Sequence, residues 1–252
     1  MTQRRPLLLL VPAALAVAFL AVPLVAVAVR APWHSLPRLV TAPASRNALR
    51  LSLECSTGAL VLCIVVGVPL AWVLARVDFP GKSVLRALVL VPLVLPPVVG
   101  GVALLLAFGR HGLLPLHIAF TTWAAIVAEA FVALPFLVLS VEGALLSMDR
   151  EFEEVAATLG SRPFTAFRRV TLPLITPALA AGAALAWARA LGEFGATVTF
   201  AGSLPGVTQT LPTEVYQQLQ DDPPAAVALS VVLLVVSVFV LVALRGRWRV
   251  AR

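Results

Sequence analysis

The chain has 252 residues, of which 60% are hydrophobic and 12% are charged, and its mean hydropathy is +0.99. A water-soluble domain of this length does not bury so much apolar surface, so the composition excludes an ordinary soluble protein and requires lipid to cover part of the molecule. The net charge of +7 would suggest nucleic acid for a soluble protein, but here the arginines flank apolar runs, which signals membrane topology and argues against a nucleic-acid partner.

Six long apolar segments, taken in chain order, predict an all-α fold, namely a polytopic membrane helical bundle of about six transmembrane helices. A helix needs about 20 residues to cross the bilayer, and the segments lack the short alternating pattern of barrel strands. The predicted spans are residues 7–29, 52–75, 84–108, 119–141, 174–196 and 225–244.

The first apolar segment, 7–29, fits two interpretations. Arg4 and Arg5 precede it, and Ala26-Val27-Ala28 is similar to the cleavage site of a secretory signal. Its 23 residues are long for a signal core, which favours a retained span.

The distribution of basic residues predicts the orientation of the bundle. With the N-terminus inside, 13 basic residues fall in cytoplasmic segments and 5 in outer loops. This asymmetry is typical of a multi-pass protein of the cell membrane with both termini in the cytoplasm. The first outer loop departs from the rule because it holds four arginines, and we expect residues 44–53 to form an amphipathic start to the second span.

We expect a single membrane domain over residues 1–252. Residues 1–45 add an extra N-terminal span and an outer loop, and residues 46–244 form the core. The two longest polar connections are a cytoplasmic loop at 142–173 and an external loop at 197–224, where functional residues are expected.

The cytoplasmic loop predicts a short amphipathic helix. Acidic residues in its first turns suit a helix N-terminus, small residues follow, and Gly160 provides a C-terminal stop. Spacings of three and four residues place an apolar set on one face, formed by Phe152, Val155, Ala156 and Leu159. That face can pack against the chain's own helices or dock in a partner's groove, and spacing alone favours packing within the chain.

Prolines and charges inside the spans mark candidate residues of a translocation path. Pro92, Pro96 and Pro97 predict a kinked or broken third span, either as a packing bend or as an irregular segment that lines a path. Arg189 and Glu193, four residues apart in the fifth span, are expected to share a face and pair. The candidate path residues are Pro96, Pro97, Arg189, Glu193, Thr197 and Thr199.

Other sequence features predict no resident metal or cofactor. Cys55 and Cys63 have neither metal-ligand spacing nor a histidine cluster beside them. Gly81-Lys82-Ser83 lacks the first glycine of a nucleotide-binding loop, so the chain is not expected to bind ATP by itself. Glu129, in the fourth span, is a carboxylate with no evident partner or role.

The cytoplasmic loop resembles a motif of the permease subunits of ATP-binding-cassette (ABC) importers. The matching residues are Glu154-Val155-Ala156, Gly160 and Val170-x-Leu172-Pro173. The resemblance implies that the loop forms a coupling helix seated in a cleft of a separate ATP-binding subunit. The implied coupling residues are Glu153, Glu154, Val155, Ala156, Gly160, Leu172 and Pro173.

A more particular resemblance, from Asn47 to the last span, is to the molybdate permease family, and it is carried by residues 79–82, 90–100, 188–200 and 205–212. It implies a non-catalytic subunit that imports molybdate or tungstate, with a homodimer, two copies of a separate ATPase and an extracytoplasmic oxyanion-binding protein. Sulfate permeases are close relatives, so import of sulfate or thiosulfate stays open. A proton-coupled secondary transporter that uses Glu129 or Glu193 as a relay is the less favoured alternative.

Overall fold

The computed structural model describes residues 7–114 and 116–248, and every regular element in these ranges is helical. Four of the basic residues that predict the orientation lie outside the described residues: Arg4, Arg5, Arg249 and Arg252. The helices are α1 Leu7–Arg30, α2 Leu36–Thr41, α3 Pro43–Arg76, α4 Lys82–Val94, α5 Pro97–Phe108, α6 Thr122–Ser147, α7 Glu151–Thr158, α8 Pro163–Ala166, a π-helical turn Phe167–Thr171, α9 Leu172–Leu191, α10 Gly195–Phe200, α11 Leu211–Asp221 and α12 Pro223–Trp248.

The predicted all-α membrane bundle is confirmed. Among the described residues, five helical segments are long and apolar enough to cross a bilayer, and α4 with α5 forms a sixth candidate that is bent by 119°. The second span begins earlier than predicted, because α3 already starts at Pro43. Residues 44–53 are therefore the first turns of this long helix, which fits their expected place at the start of the second span.

The third span is broken, as its prolines predict. Pro96 and Pro97 lack the amide hydrogen that a continuous helix would use, and proline also drives the residue before it out of the helical region. Leu95 and Pro96 accordingly adopt extended ψ angles of 130° and 131°, and Pro97 opens α5. Pro92 is tolerated inside α4.

The two halves of this span together connect the two ends of the bundle. Near the start of α4, the Arg86 Nε group donates a 2.9 Å hydrogen bond to Glu142, close to the end of α6. At the end of α5, Phe108 packs against the cluster that contains Ala124 and Ala125, close to the start of α6. The bent pair therefore follows α6 from one end to the other.

Helices α3, α6 and α9 form the centre of the bundle and approach one another through small residues. Ala59, Ala133 and Ala186 are fully buried in the cluster that these helices share. Gly182 of α9 faces Ser140 of α6 so closely that an added Cβ would lie 2.6 Å from the Ser140 Cβ. Such contacts are typical of membrane helices, where close van der Waals packing replaces the hydrophobic effect.

The fifth predicted span, 174–196, ends too late. Helix α9 stops at Leu191, and a new helix, α10, begins at Gly195. Glu193 lies in the break, where its Oε1 accepts a 2.9 Å hydrogen bond from the Ala196 amide. The side chain satisfies a backbone donor at the start of α10, which hydropathy alone does not reveal.

Candidate functional site

The short helix α7 lies at the end of the bundle where α3 and α6 finish. Gly160 has a left-handed φ of 80°, its amide donates to the Ala157 carbonyl, and the Ser161 amide donates to the Ala156 carbonyl. This is the Schellman arrangement, in which glycine ends a helix without the steric cost of a Cβ. The predicted short helix and its glycine stop are therefore present.

Glu153 anchors α7 to the rest of the chain. Its Oε2 lies 2.9 Å from Nε of Arg76 at the end of α3, and its Oε1 accepts a 2.7 Å hydrogen bond from the Thr171 hydroxyl just before α9. The Arg76 side chain is only 7% exposed. Arg150 adds a 3.3 Å hydrogen bond to the Ala75 carbonyl. Glu153 thus points inward, whereas the neighbouring Glu154 is exposed.

The apolar face of α7 is open within the single chain. Phe152, Val155 and Leu159 are 53%, 49% and 81% exposed, and together with Val170 they line a shallow groove. Ala156 is buried at 8% exposure. The expectation that this face packs within the chain is therefore wrong for all but Ala156.

The last two implied coupling residues begin α9. Leu172 packs against the central cluster of α3, α6 and α9, and Pro173 is exposed. The two residues therefore connect the α7 region to a core helix.

Helices α5 and α10 touch backbone to backbone. A Cβ on Gly101 would lie 2.7 Å from the Thr199 Cβ and 2.8 Å from the Ala196 carbonyl oxygen. A Cβ on Gly195 would lie 2.9 Å from the Pro97 Cβ. Two of the path candidates, Pro97 and Thr199, thus each lie against a glycine of the other helix, whereas Pro96 faces an open apolar groove beside α4.

Polar side chains gather where α6, α9 and α10 meet. Arg189 Nη2 lies 2.7 Å from Glu193 Oε2, and the two side chains are 30% and 1% exposed. Thr197 is fully buried, and its hydroxyl has no partner among the described residues. Thr199, by contrast, donates to the Gly195 carbonyl at 2.7 Å. The predicted pair of Arg189 and Glu193 is therefore present, although the helix breaks between them.

Glu129 of α6 is a second carboxyl in this interior. It is 1% exposed, its Oε2 has no hydrogen-bond partner among the described residues, and it lies within electrostatic range of Glu193. A buried polar group without a partner is costly, so the fold retains Glu129 at an energetic penalty.

Sequence reasoning missed the ion pairs that fix the helix ends near α7. Arg76 pairs with Glu153, and Arg86 pairs with Glu142, with side-chain exposures of 42% and 6% in the second pair. A signal was present, because Arg86 falls inside the predicted third span and a charge there needs a partner. The partner itself depends on how α4 packs against α6.

A family model for binding-protein-dependent transport system inner membrane components matches residues 67–248. The chain belongs to this family of membrane transport proteins. It is 51% identical over 243 residues to the molybdenum transport system permease protein of Mycobacterium tuberculosis, covering 94% of this chain and 92% of that protein. It is 38% identical to the sulfate transport system permease protein of Salmonella typhimurium, covering 83% of this chain and 78% of that protein.

The fold is also similar to that of a bacterial membrane transporter of known structure. A crystal structure of a bacterial ABC transporter involved in alginate import superposes with a TM-score of 0.74, over 97% of this chain and 95% of that chain, at 18% sequence identity. At this identity the likeness concerns the fold alone. It agrees with the family match in placing the chain among multi-pass membrane proteins.

The ion pair of Arg189 and Glu193 is open to a double-mutant cycle. Glu193→Gln keeps an oxygen for the Ala196 amide but leaves Arg189 without its carboxylate, so we expect a loss of at most about 3 kcal/mol, reduced from the buried-pair range by the exposure of Arg189. Arg189→Met should cost at least as much, because it leaves the Glu193 carboxylate, which is 1% exposed, without its cation. The double variant should lose less stability than the sum of the two single losses. Reversible unfolding in detergent measures the three variants. Additivity within about 0.5 kcal/mol would show that the pair contributes nothing.

Proposed function

We propose that this chain is the membrane-spanning subunit of an ABC importer that moves molybdate into the cell, with tungstate as a second candidate substrate. The supporting observation is the 51% identity, over 94% of the chain, to a permease named for molybdenum transport. The sulfate permease shares less identity over less of the chain, so sulfate or thiosulfate import is the second candidate function.

Import of such an anion needs an energy source. Two negative charges that move into a negative interior cost about 4.6 kcal/mol per 100 mV. In this proposal a separate ATPase subunit, present in two copies, supplies the energy, and this chain has no catalytic role. A homodimer of the chain forms the path, and an extracytoplasmic binding protein delivers the oxyanion. A proton-coupled transporter, by contrast, would take up molybdate as a purified single subunit.

The proposed contact with the ATPase is the open face of α7. Glu154, Val155, Gly160 and Pro173 are the exposed members of the coupling set, and the adjacent Phe152 and Leu159 offer apolar surface for a cleft. Glu153, Ala156 and Leu172 act differently, because they are turned inward and hold the helix against the core. A displacement of α7 would therefore be transmitted directly to α3 and α9.

The proposed translocation path runs beside the contact of α5 and α10. The six candidates lie at the two helix breaks, in the last turn of α9 or within α10. Irregular backbone such as these breaks is tolerated in a membrane only if it is buried or lines a cavity. Arg189 is the one cation among them, and its 30% exposure leaves part of the guanidinium accessible. In this proposal it attracts the anion, while its pairing with Glu193 keeps binding weak enough for release.

The orientation can be tested with reporter fusions. The charge asymmetry predicts that α7 lies inside, and the hydrogen bond from Thr122 to the Val207 carbonyl puts Val207 at the opposite end of α6. Fusions at Arg162 should therefore report the cytoplasm and fusions at Val207 the outside. A cytoplasmic Val207 would contradict both the orientation and the delivery site for the binding protein.

The substrate can be tested in proteoliposomes that contain the chain with its ATPase and binding protein. Molybdate should stimulate ATP hydrolysis, because the binding protein that has bound molybdate docks on the permease in a different form from the empty binding protein. The same assay with sulfate is the comparison. Stimulation by sulfate alone would assign the chain to the sulfate importers.

The coupling face can be tested with Leu159→Glu. Leu159 is 81% exposed, so a charge there should leave the fold intact but place an unpaired carboxylate in the contact with the ATPase. Association should weaken at least tenfold, and molybdate-stimulated hydrolysis should fall with it. Pull-down of the ATPase in detergent measures the association.

The matched control for this test is Leu204→Glu, at the other end of the bundle. Leu204 is 47% exposed, and its replacement by glutamate introduces the same charge far from α7. It should bind the ATPase as the unmodified chain does. Equal binding by both variants would show that α7 is not the coupling element.

A further inference from the structure

A cavity of about 550 Å³ lies at the end of the bundle opposite α7. Its walls are the last turn of α5 and the segment that follows, and α6 begins beside it at Thr122. Leu105 and Leu106 on its wall lie about one helical turn beyond Gly101, where α5 touches α10. The cavity thus lies about one helical turn from the contact of α5 and α10, beside which the proposed path runs.

The segment that closes the cavity is held by the backbone. The amides of Leu113 and Leu114 donate to the Leu106 and Ala107 carbonyls at 3.0 and 2.8 Å, which folds the chain back onto α5. At its other end, the Phe120 amide donates to the Phe200 carbonyl of α10. The cavity wall is therefore tied to both helices of the proposed path.

This segment also contains left-handed backbone at residues that do not favour it. His117 and Phe120 have φ angles of 53° and 62°. Such a conformation is strained for a bulky side chain and persists where the surroundings enforce it, which is common at binding sites. The ring of Phe120 lies over Gly202, where an added Cβ would be 3.3 Å away.

The polar side chains that line the cavity all carry or can carry positive charge. Arg110, His111 and His117 line it together, and all three are exposed. Residues 109–121 include no aspartate or glutamate, and Arg110 forms no ion pair among the described residues. The remaining walls are apolar, from Leu105, Leu106 and Phe120 among others, and low-polarity walls strengthen the field of the cations.

We propose that Arg110, His111 and His117 form a binding site for a tetrahedral oxyanion. A guanidinium offers a planar pair of donors that suits two oxygens of such an anion, and imidazole N–H groups supply further donors. Two sources share this chemistry: the transported anion on its way to the path, which rests on the proposed function, and the phosphate of an anionic phospholipid whose acyl chains lie against the apolar wall.

The test uses the full chain in nanodiscs of zwitterionic lipid, without ATPase or binding protein. Tungstate bound at equilibrium is measured by elemental mass spectrometry for the unmodified chain, Arg110→Gln and Arg38→Gln. Arg38 is an exposed arginine of α2 and is the matched control for a lost outer charge. We expect Arg110→Gln to weaken binding at least tenfold and Arg38→Gln to leave it unchanged. The double variant His111→Gln with His117→Gln should weaken it as well.

A second arm measures retention of phosphatidylglycerol by native mass spectrometry of the same variants. Loss of the lipid in Arg110→Gln, with no tungstate bound by any variant, identifies a headgroup phosphate as the occupant. Loss of tungstate binding with lipid retention unchanged identifies the free anion. If Arg110→Gln and Arg38→Gln bind both ligands equally, the site is wrong.

A failure of the proposed anion site can be distinguished from a failure of the proposed function. If the unmodified complex transports sulfate but not molybdate, the substrate assignment fails, yet the difference between Arg110→Gln and Arg38→Gln stands. If the complex transports molybdate and the two variants do not differ in either ligand, the cavity fails while the function stands.

Discussion

The structure depends on one constraint: inside a bilayer each backbone amide and carbonyl needs a partner within the protein. Continuous helices meet this requirement by themselves, so the two places where the chain leaves the helix need special chemistry. At the break in the third span, Pro96 and Pro97 bring no amide hydrogen, and the Gly100 amide reaches back to the Pro96 carbonyl at 3.1 Å. The break therefore leaves few groups unsatisfied.

The second break meets the same requirement with a side chain. The Gly192 and Glu193 amides bond back to the end of α9, and the Glu193 carboxylate accepts the Ala196 amide while it pairs with Arg189. One buried carboxylate thus caps a helix and neutralises a charge. Because Glu193 serves both purposes, its loss would affect the shape of the break as well as its electrostatics.

The two breaks lie against each other, and α9 links them to the other end of the molecule. Glycines at positions 101 and 195 allow α5 and α10 to pack in direct contact. Helix α9 begins next to Thr171, which holds Glu153 of α7, and ends at the break beside Arg189. The proposed coupling helix and the proposed path are therefore joined by one rigid helix, the kind of continuous element through which a conformational change can travel.

The sequence by itself determined the helical class, the span count, the broken third span and the short helix that stops at Gly160, because hydropathy, proline and glycine act on the chain locally. The sequence also contains the motifs that identify the family. The tertiary structure alone decided that Glu153 points to Arg76 while Leu159 faces outward, that α9 ends before Glu193, and that Arg110 shares a cavity with His111 and His117. The contact of Glu153 with Arg76 joins segments distant in sequence, and a periodic pattern along one helix contains no information about which neighbour it meets. The end of α9 and the turn that brings Arg110 near His117 depend instead on local hydrogen bonds that hydropathy does not encode.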